Sequence, residues 1–323
     1  MRPDVSVVIP TYNRRSMVQE AIESCFAGND EIDVEVVVVD DGSTDGTREY
    51  LDNIDNECVR PILQEHQGAQ VARNKGQQAA RGRAVKHLDD DDYLIPGGLE
   101  QEYHRLREAN ADVCFSLFYK HNVTNGDRWL RNSNYENKHE DFFVALASQS
   151  ISRLQLALLF DESAISNVSW DESLPYLQDV DYMLRVASKG LRCVKLEHPV
   201  AVHRIHDEDR ISDVRNSADT VENLLKKCEW YDQTFRRLKN RMKITPVRRK
   251  AAAIGMWREA HKMAPYEWHT AQPWLRRASE LAPGFQPDRS NLFLSVLDRL
   301  GTPLLTESVI NPIRRIRLQR KTK

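Results

Sequence analysis

The chain reads as an α/β domain with a mostly parallel sheet flanked by helices, followed by a mainly helical C-terminal extension. Three observations predict this. Runs that are apolar on nearly every residue, VSVVIP at 5–10 and VEVVVV at 34–39, suit strands covered on both faces. Helical stretches alternate with such runs over the first 120 residues, as βαβ units require. From about residue 213 the pattern is helical, with breaks near Pro246, Pro265, Pro283 and Pro303.

The elements follow in order. Val5–Pro10 is the first strand, and roughly 15–27 the first helix. Val34–Val39 precedes a helix over 44–54. Val59–Leu63, a helix over 69–80 and Ala84–Leu88 complete the alternation. Asp112–Phe118 is a further strand, and Asn125-Gly126 marks a hairpin turn. Residues 140–148 and 179–189 read as helices, the second closed by Gly190, and Val200–Ile205 as a last strand. A boundary near 212 divides the chain into domains of residues 1–212 and 213–323. Residues 251–284 have the Ala-rich look of a helix pair, without a strict repeat.

Composition narrows the function classes. With 323 residues, 41% hydrophobic and 29% charged, the chain can build a sizeable core. A net charge of −2 gives no global attraction for nucleic acid. No run approaches the ~20 apolar residues of a membrane span, and the N-terminus enters a strand at once. The five cysteines are scattered and form no CxxC, which suits a reducing cytoplasm.

Ligands of a parallel sheet bind beyond the carboxyl ends of its strands. There the sequence places Thr11-Tyr12-Asn13-Arg14, Asp40-Asp41-Gly42-Ser43 and Asp89-Asp90-Asp91-Asp92. Four adjacent carboxylates repel unless something offsets their charge. Alternate residues on a strand end share a side, so Asp89 and Asp91 can face one pocket while Asp90 turns away. A D-x-D pair of this kind suits Mg²⁺ or Mn²⁺ gripping a diphosphate. A solvated loop is the bland alternative. The bland alternative for Asp40 and Asp41 is a turn and helix cap, and for Arg73 a satisfied helix face.

Four motifs in order, SVVIPTYNR at 6–14, VVVDDGSTDGT at 37–47, GAQVARNKG at 68–76 and HLDDDD at 87–92, resemble the nucleotide-sugar half of a family 2 glycosyltransferase. The likeness continues through WDESLPYLQDVDYMLRVASKG at 170–190 and VHRIHDEDRIS at 202–212, and stops before the C-terminal third. It implies a GT-A type, Rossmann-like fold and an inverting, metal-assisted transfer from a nucleotide-sugar, with UDP the expected carrier and GDP or dTDP the alternatives. By the same resemblance Pro10, Thr11 and Tyr12 line the nucleoside pocket. Asp40 meets the uracil ring, with Asp41 beside it. Arg73 and Asn74 lie near base and diphosphate. Asp89 lies near the ribose with Asp90 next to it, Asp91 holds the metal with Asp92 next to that site, and His206 is near the metal or diphosphate. Arg210 is a further candidate for the leaving phosphate. Asp179 is the general base. One departure stands out: the family has Glu-Asp where this chain has Gln178-Asp179. Asp181 is the rival base within the same string.

Other functions fit less well. A dinucleotide oxidoreductase wants GxGxxG after the first strand, where PTYNRR stands instead. A pyrophosphorylase wants a Gly-rich first loop. A glycoside hydrolase needs two carboxylates but no diphosphate cradle. A catalytically silent sugar-nucleotide-binding module with the same fold is the alternative that the intact D-x-D and Asp179 disfavour. The acceptor, whether glycan, lipid-linked sugar or protein, is not legible. Trp129, Tyr135 and Trp170 could stack on a sugar or fill the core.

The C-terminal third carries its own signal. Arg236, Arg237, Lys239, Arg241, Lys243, Arg248, Arg249, Lys250 and Arg258 follow one another with no acid between them, and the tail from Arg314 is basic with interleaved isoleucines. The expectation is peripheral contact with an anionic membrane, at its cytoplasmic face, rather than with nucleic acid.

Overall fold

The computed structural model describes residues 2–131, 141–149, 151–206 and 220–284. Two compact units emerge. One comprises Met1–Phe142, Gln149–Val186 and Leu191–Glu208; the other comprises Phe143–Ser148, Ala187–Gly190 and Asp209–Lys323. The boundary expected near 212 and the basic tail from Arg314 lie outside the described residues.

The first unit opens with the expected alternation: β1 (Val5–Thr11), α1 (Arg15–Phe26), β2 (Val34–Asp40), α2 (Thr47–Asp52), β3 (Val59–Leu63), α3 (Ala69–Ala79) and β4 (Ala84–His87). These strands pair in parallel in the order β3-β2-β1-β4. Every residue of β1 and β2 is buried, which is why their sequences do not alternate. Val5, Val7, Ile9, Val36 and Val38 pack on Val18, Ile22 and Leu51 in one continuous core. On the other face α3 lies very close to β1. A Cβ added at Gly76 would stand 2.4 Å from Val8 Cγ1, so only glycine admits this approach.

Beyond β4 the chain adds β5 (Tyr93–Leu94), α4 (Gly98–Glu108), β6 (Val113–Asn122), β7 (Arg128–Arg131), α5 (Phe142–Ala147), β8 (Leu158–Asp161), α6 (Glu162–Ile165), α7 (Gln178–Ala187) and β9 (Cys193–Ile205). The uninterrupted parallel pairing ends at β4. β8 enters antiparallel between β4 and β6, and β6 then pairs β9 in parallel. The sequence reading lacked α4 and β8 and placed only the second half of β9. β8 is four residues long and follows a 3-10 turn at Gln155–Ala157, so it has too little length to show a period. The hairpin at Asn125-Gly126 forms, joining β6 to β7.

A buried ion pair sits within this unit. Lys86 Nζ donates to Glu102 Oε2 at 2.6 Å with both side chains fully buried, and Ser116 Oγ donates to Glu102 Oε1 at 2.7 Å.

The second unit contains α5 from Phe143 onward, with α8 (Val221–Asn240), α9 (Pro246–Met263) and α10 (Trp268–Leu281). Thr220 caps α8 through Asn223 N–H, and Thr245 caps α9 through Arg248 N–H with Pro246 at the first helical position. Gly255 lets α9 approach α8: an added Cβ would meet the Tyr231 ring at 2.6 Å. The helix-pair look of 251–284 thus corresponds to α9 and α10.

Candidate active site

The carboxyl ends of β1, β2 and β4 meet at one edge. Thr11 is paired with Asp40 across β1 and β2, and its carbonyl accepts from Asp41 N–H at 2.9 Å. Its hydroxyl donates to Asp90 Oδ2 at 2.8 Å, so one residue ties three strand ends together. Pro10, before it, is buried opposite Val39. Tyr12 is half-exposed and its ring lies 4.3 Å from that of His66.

The two acids after β2 have different surroundings. The Asp41 carboxylate accepts from Gln64 Nε2 at 2.6 Å and from the N–H groups of Gln67 and Gly68, each at 2.8 Å. It therefore organises the loop that launches α3. Gly42 has φ +86 and a Cβ there would meet His66 N at 2.8 Å, so this turn also requires glycine. Asp40 is fully buried, and its carboxylate accepts long bonds, from Ser43 N–H at 3.3 Å and Arg48 Nε at 3.4 Å.

Each of the four aspartates has its own set of partners, with Arg14 shared between Asp90 and Asp91. Asp89 accepts from Arg73 Nη2 at 2.8 Å. Asp90 turns toward Thr11 and accepts from Arg14 Nη1 at 2.8 Å. Asp91 Oδ2 lies 3.0 Å from Arg14 Nη1 and 2.9 Å from His206 Nε2. Asp92 faces the His203 ring at 3.1 Å and accepts from Arg204 N–H at 2.9 Å. Arg204 also donates to the Asp91 carbonyl and pairs with Glu20. Burial pushes Asp90 and Asp92 up to about 6. The charges of Asp91 and Asp89 add to the rise at Asp92, against the His203 bond.

One oxygen each of Asp89, Asp91 and Asp92 lies within 4.8 Å of the others. This all-oxygen donor set, under mutual repulsion, fits a hard divalent cation. Asp92 thus joins the two aspartates that alternation alone selects. Asp90 is turned away, but β4 ends at His87 and the four aspartates stand in the turn beyond it, where Asp92 N–H donates to the Asp89 carbonyl at 3.1 Å, so the turn and not strand alternation sets their directions.

Arg73 and Asn74, adjacent on α3, face different partners. Arg73 bridges Asp89 and Gln178 Oε1, the latter at 3.4 Å, and its guanidinium lies 5.1 Å over the Trp170 ring. Asn74 is committed to the 170–172 loop. Its Nδ2 donates to the Trp170 carbonyl at 3.0 Å and to Glu172 Oε1 at 2.8 Å, and its Oδ1 accepts from Trp170 N–H at 2.7 Å. Trp170 is buried and stacks on Tyr182 of α7 at 4.0 Å, so it belongs to the core. Tyr182 donates to Gln77 Oε1 at 2.8 Å. His87 meets both rings edge-on, and burial, with the charge of Arg73, lowers it to about 3, so it is neutral. Trp129 is part-exposed on β7, while Tyr135 lies outside the described residues.

Asp179 and Asp181 both stand in the first turn of α7 but point to different sides, two residues being about 200° apart on a helix. Asp181 is ion-paired to Arg185 one turn on, which also donates to the Ser169 carbonyl. Asp179 accepts a long bond from Gln155 Nε2 at 3.3 Å. Burial raises its carboxyl above the ordinary value, and Asp89 adds to this, while Arg73 opposes it. Asp179 therefore feels the aspartate cluster; Asp181 is tied up. Arg210 lies outside the described residues.

Sequence reasoning missed Arg14 and Gln155. Arg14 had a signal, since it is the first cation after a strand end that faces acids. Gln155 had none.

Residues 6–158 match the model of glycosyl transferase family 2. The UDP-Glc:alpha-D-GlcNAc-diphosphoundecaprenol beta-1,3-glucosyltransferase WfaP of Escherichia coli is 25% identical over 207 residues, 62% of this chain and 77% of the relative. Four other curated relatives, three of them named as glycosyltransferases and one as a succinoglycan biosynthesis protein, are 33 to 41% identical, and the match spans less than half the length of each. Among solved structures, S. aureus TarS 1–349 with UDP-GlcNAc aligns over 96% of this chain and 91% of its own, with TM-score 0.60 and 17% identity. The mannosyltransferase PcManGT of Pyrobaculum calidifontis, with GDP-Man and Mn²⁺, covers 96% and 87%, with TM-score 0.54 and 18% identity. The motif-bearing strand ends, the family match over residues 6–158 and the shared fold agree: that segment is similar to the family 2 glycosyltransferases, and the chain has the GT-A fold.

Proposed function

We propose that the protein is an inverting glycosyltransferase. It moves a sugar from a nucleotide-diphosphate sugar to an acceptor hydroxyl in glycan or polysaccharide synthesis. The observation that carries this reading is a pairing of two features on one side of the sheet. Asp89, Asp91 and Asp92 converge as a cation site, and Asp179, with a raised carboxyl, is coupled electrostatically to Asp89.

Asp89, Asp91 and Asp92 would hold Mg²⁺ or Mn²⁺, with His206 steadying Asp91 or adding a ligand. A bound divalent cation supplies charge stabilisation to the leaving diphosphate. Asp40, Thr11 and Tyr12 bind and orient the nucleoside, with Pro10 and Asp41 shaping the loops that carry them. Arg73 lies between the cation site and α7, where it can meet diphosphate oxygens, and Asn74 positions the 170–172 loop. Asp179 takes the proton of the acceptor hydroxyl as that oxygen attacks the anomeric carbon. A carboxylate raised toward neutrality accepts a proton more readily than an ordinary one, and general bases contribute about 10²- to 10⁴-fold. Attack opposite the leaving group gives inversion in one displacement.

UDP is the favoured carrier, supported by the names of WfaP and of the TarS complex; the GDP-Man complex keeps GDP open. A lipid-linked acceptor is supported by the WfaP name. A cytoplasmic setting is supported by five free thiols. No described helix is long and apolar enough to cross a membrane.

The test is calorimetric titration of UDP, with and without Mn²⁺, into the parent and Asp91→Asn. Tighter binding with Mn²⁺ in the parent, lost in the variant, is the expected result. If UDP, GDP and dTDP all fail to bind under either condition, the transferase reading falls and only the fold stands.

A further inference from the structure

We propose that the turn between α8 and α9 docks on an anionic lipid surface. Met242 and Val247 would enter the headgroup layer, and the surrounding cations would hold phosphate-bearing headgroups.

Charge is the first support. No acid lies between Asp232 and Glu259, and eight cations stand from Arg236 to Lys250. Seven of these are exposed, and Arg248 is partly so. The second support is apolar exposure in the same place. Met242 is 94% exposed and Val247 43% exposed. A soluble polyanion offers nothing to such side chains, whereas a lipid interface removes their surface from water. This combination favours a membrane over an acidic polymer.

The turn is held in shape. Met242 sits at φ +56, a conformation uncommon outside glycine. Lys243 Nζ donates to the Lys189 carbonyl at 2.7 Å, and Arg248 Nη1 donates to the Lys243 carbonyl at 2.6 Å. The apolar tip therefore does not fold back onto the unit. Next to it is a hollow of about 510 Å³ lined by Phe235, Arg236, Lys239, Asn240 and Arg277. Asp232 fixes both guanidiniums through Nε, at 2.6 Å from Arg236 and 3.1 Å from Arg277. Three cations line the hollow against the buried Asp232 carboxylate and Glu280, which stands 4.0 Å from Arg277, so the hollow stays positive, which suits a phosphate headgroup.

The experiment is co-sedimentation of the intact chain with vesicles of phosphatidylcholine alone, and of phosphatidylcholine mixed with phosphatidylglycerol, at low and high salt. Binding is expected to anionic vesicles only, and to weaken with salt. Arg237→Glu with Arg241→Glu should weaken it by well over tenfold, at roughly fivefold for each charge removed. Met242→Ser should weaken vesicle binding several-fold and leave binding to soluble polyphosphate unchanged. All three substitutions are at exposed positions, and matching thermal melts would show that the variants fold. No binding to anionic vesicles, or equal binding to neutral ones, overturns the proposal. So does a silent Met242→Ser with tight polyphosphate binding, which would assign the patch to an acidic polymer.

Discussion

Arg14 places Nη1 3.0 Å from Oδ2 of Asp91. The chain thus supplies its own cation to the carboxylate that would receive a metal. The same guanidinium serves Asp90 at 2.8 Å, so it neutralises two acids on the edge of the proposed cation site. Arg14→Gln is expected to lower the melting temperature of the metal-free protein, by a loss of about 1–3 kcal/mol. It should also enlarge the stabilisation that Mn²⁺ confers, because a competitor is gone. Thermal unfolding with and without Mn²⁺ measures both. An unchanged metal-induced shift would show that Arg14 does not compete.

Asp179→Asn should reduce transfer by about 10²- to 10⁴-fold while leaving UDP affinity near the parent value. Asp181→Asn should do the reverse in kind: it breaks the Arg185 pair and costs stability, with transfer largely retained. Comparing turnover, UDP titration and melting for the two variants assigns the base. Equal loss of turnover in both would remove Asp179 from that role.

The raised carboxyl of Asp179 gives a pH signature. Its folded value lies above its unfolded one, so between the two the native state holds the proton more firmly. Ionisation therefore costs the native state stability as pH rises through that window, and the cost persists at neutral pH. Asp179→Asn escapes it and is expected to melt higher than the parent near pH 7, with the difference vanishing in acid. For catalysis the base must be ionised, so kcat/KM should fall as pH drops through the raised value. Arg73 lowers that value, so Arg73→Gln should move the acid limb to higher pH. A limb that stays in place would mean that Arg73 does not act on the base.

The buried Lys86–Glu102 pair makes a separate stability prediction. Lys86→Met leaves Glu102 buried without its counter-charge and should cost about 3–5 kcal/mol. Adding Glu102→Leu should recover most of that loss. Denaturant unfolding of the two variants measures it. If the double variant is no better than the single one, the cost is packing and not charge.

What the sequence made legible depended on continuity. β1 and β2 are fully buried strands of seven residues, and their apolar runs announce them. The acids at their ends could be placed because strand ends in a parallel sheet share an edge. Alternation was expected to separate Asp90 from Asp89 and Asp91, and Asp90 does turn away, but β4 ends at His87 and all four aspartates stand in the turn beyond it, so turn geometry and not period decides which of them converge, Asp92 included. β8 escaped notice because four residues carry no periodicity, and the antiparallel entry it creates followed it out of sight. Trp170 could not be divided between sugar stacking and core from sequence, since its partners Tyr182 and Arg73 are 12 and 97 positions away.

Arg73 and Asn74 sit one after the other on α3. The first grips Asp89 beside the proposed cation site, and the second grips the backbone at Trp170. Trp170 in turn lies flat on Tyr182, three residues along α7 from Asp179. The proposed cation site and the proposed base are therefore indexed to a single turn of one helix, and Gly76 seats that helix against β1. A direct displacement tolerates an alignment error of only about half an ångström. Here that tolerance is a machining property of one short rod, so a methyl group at position 76 would put the two reactants out of true without touching either.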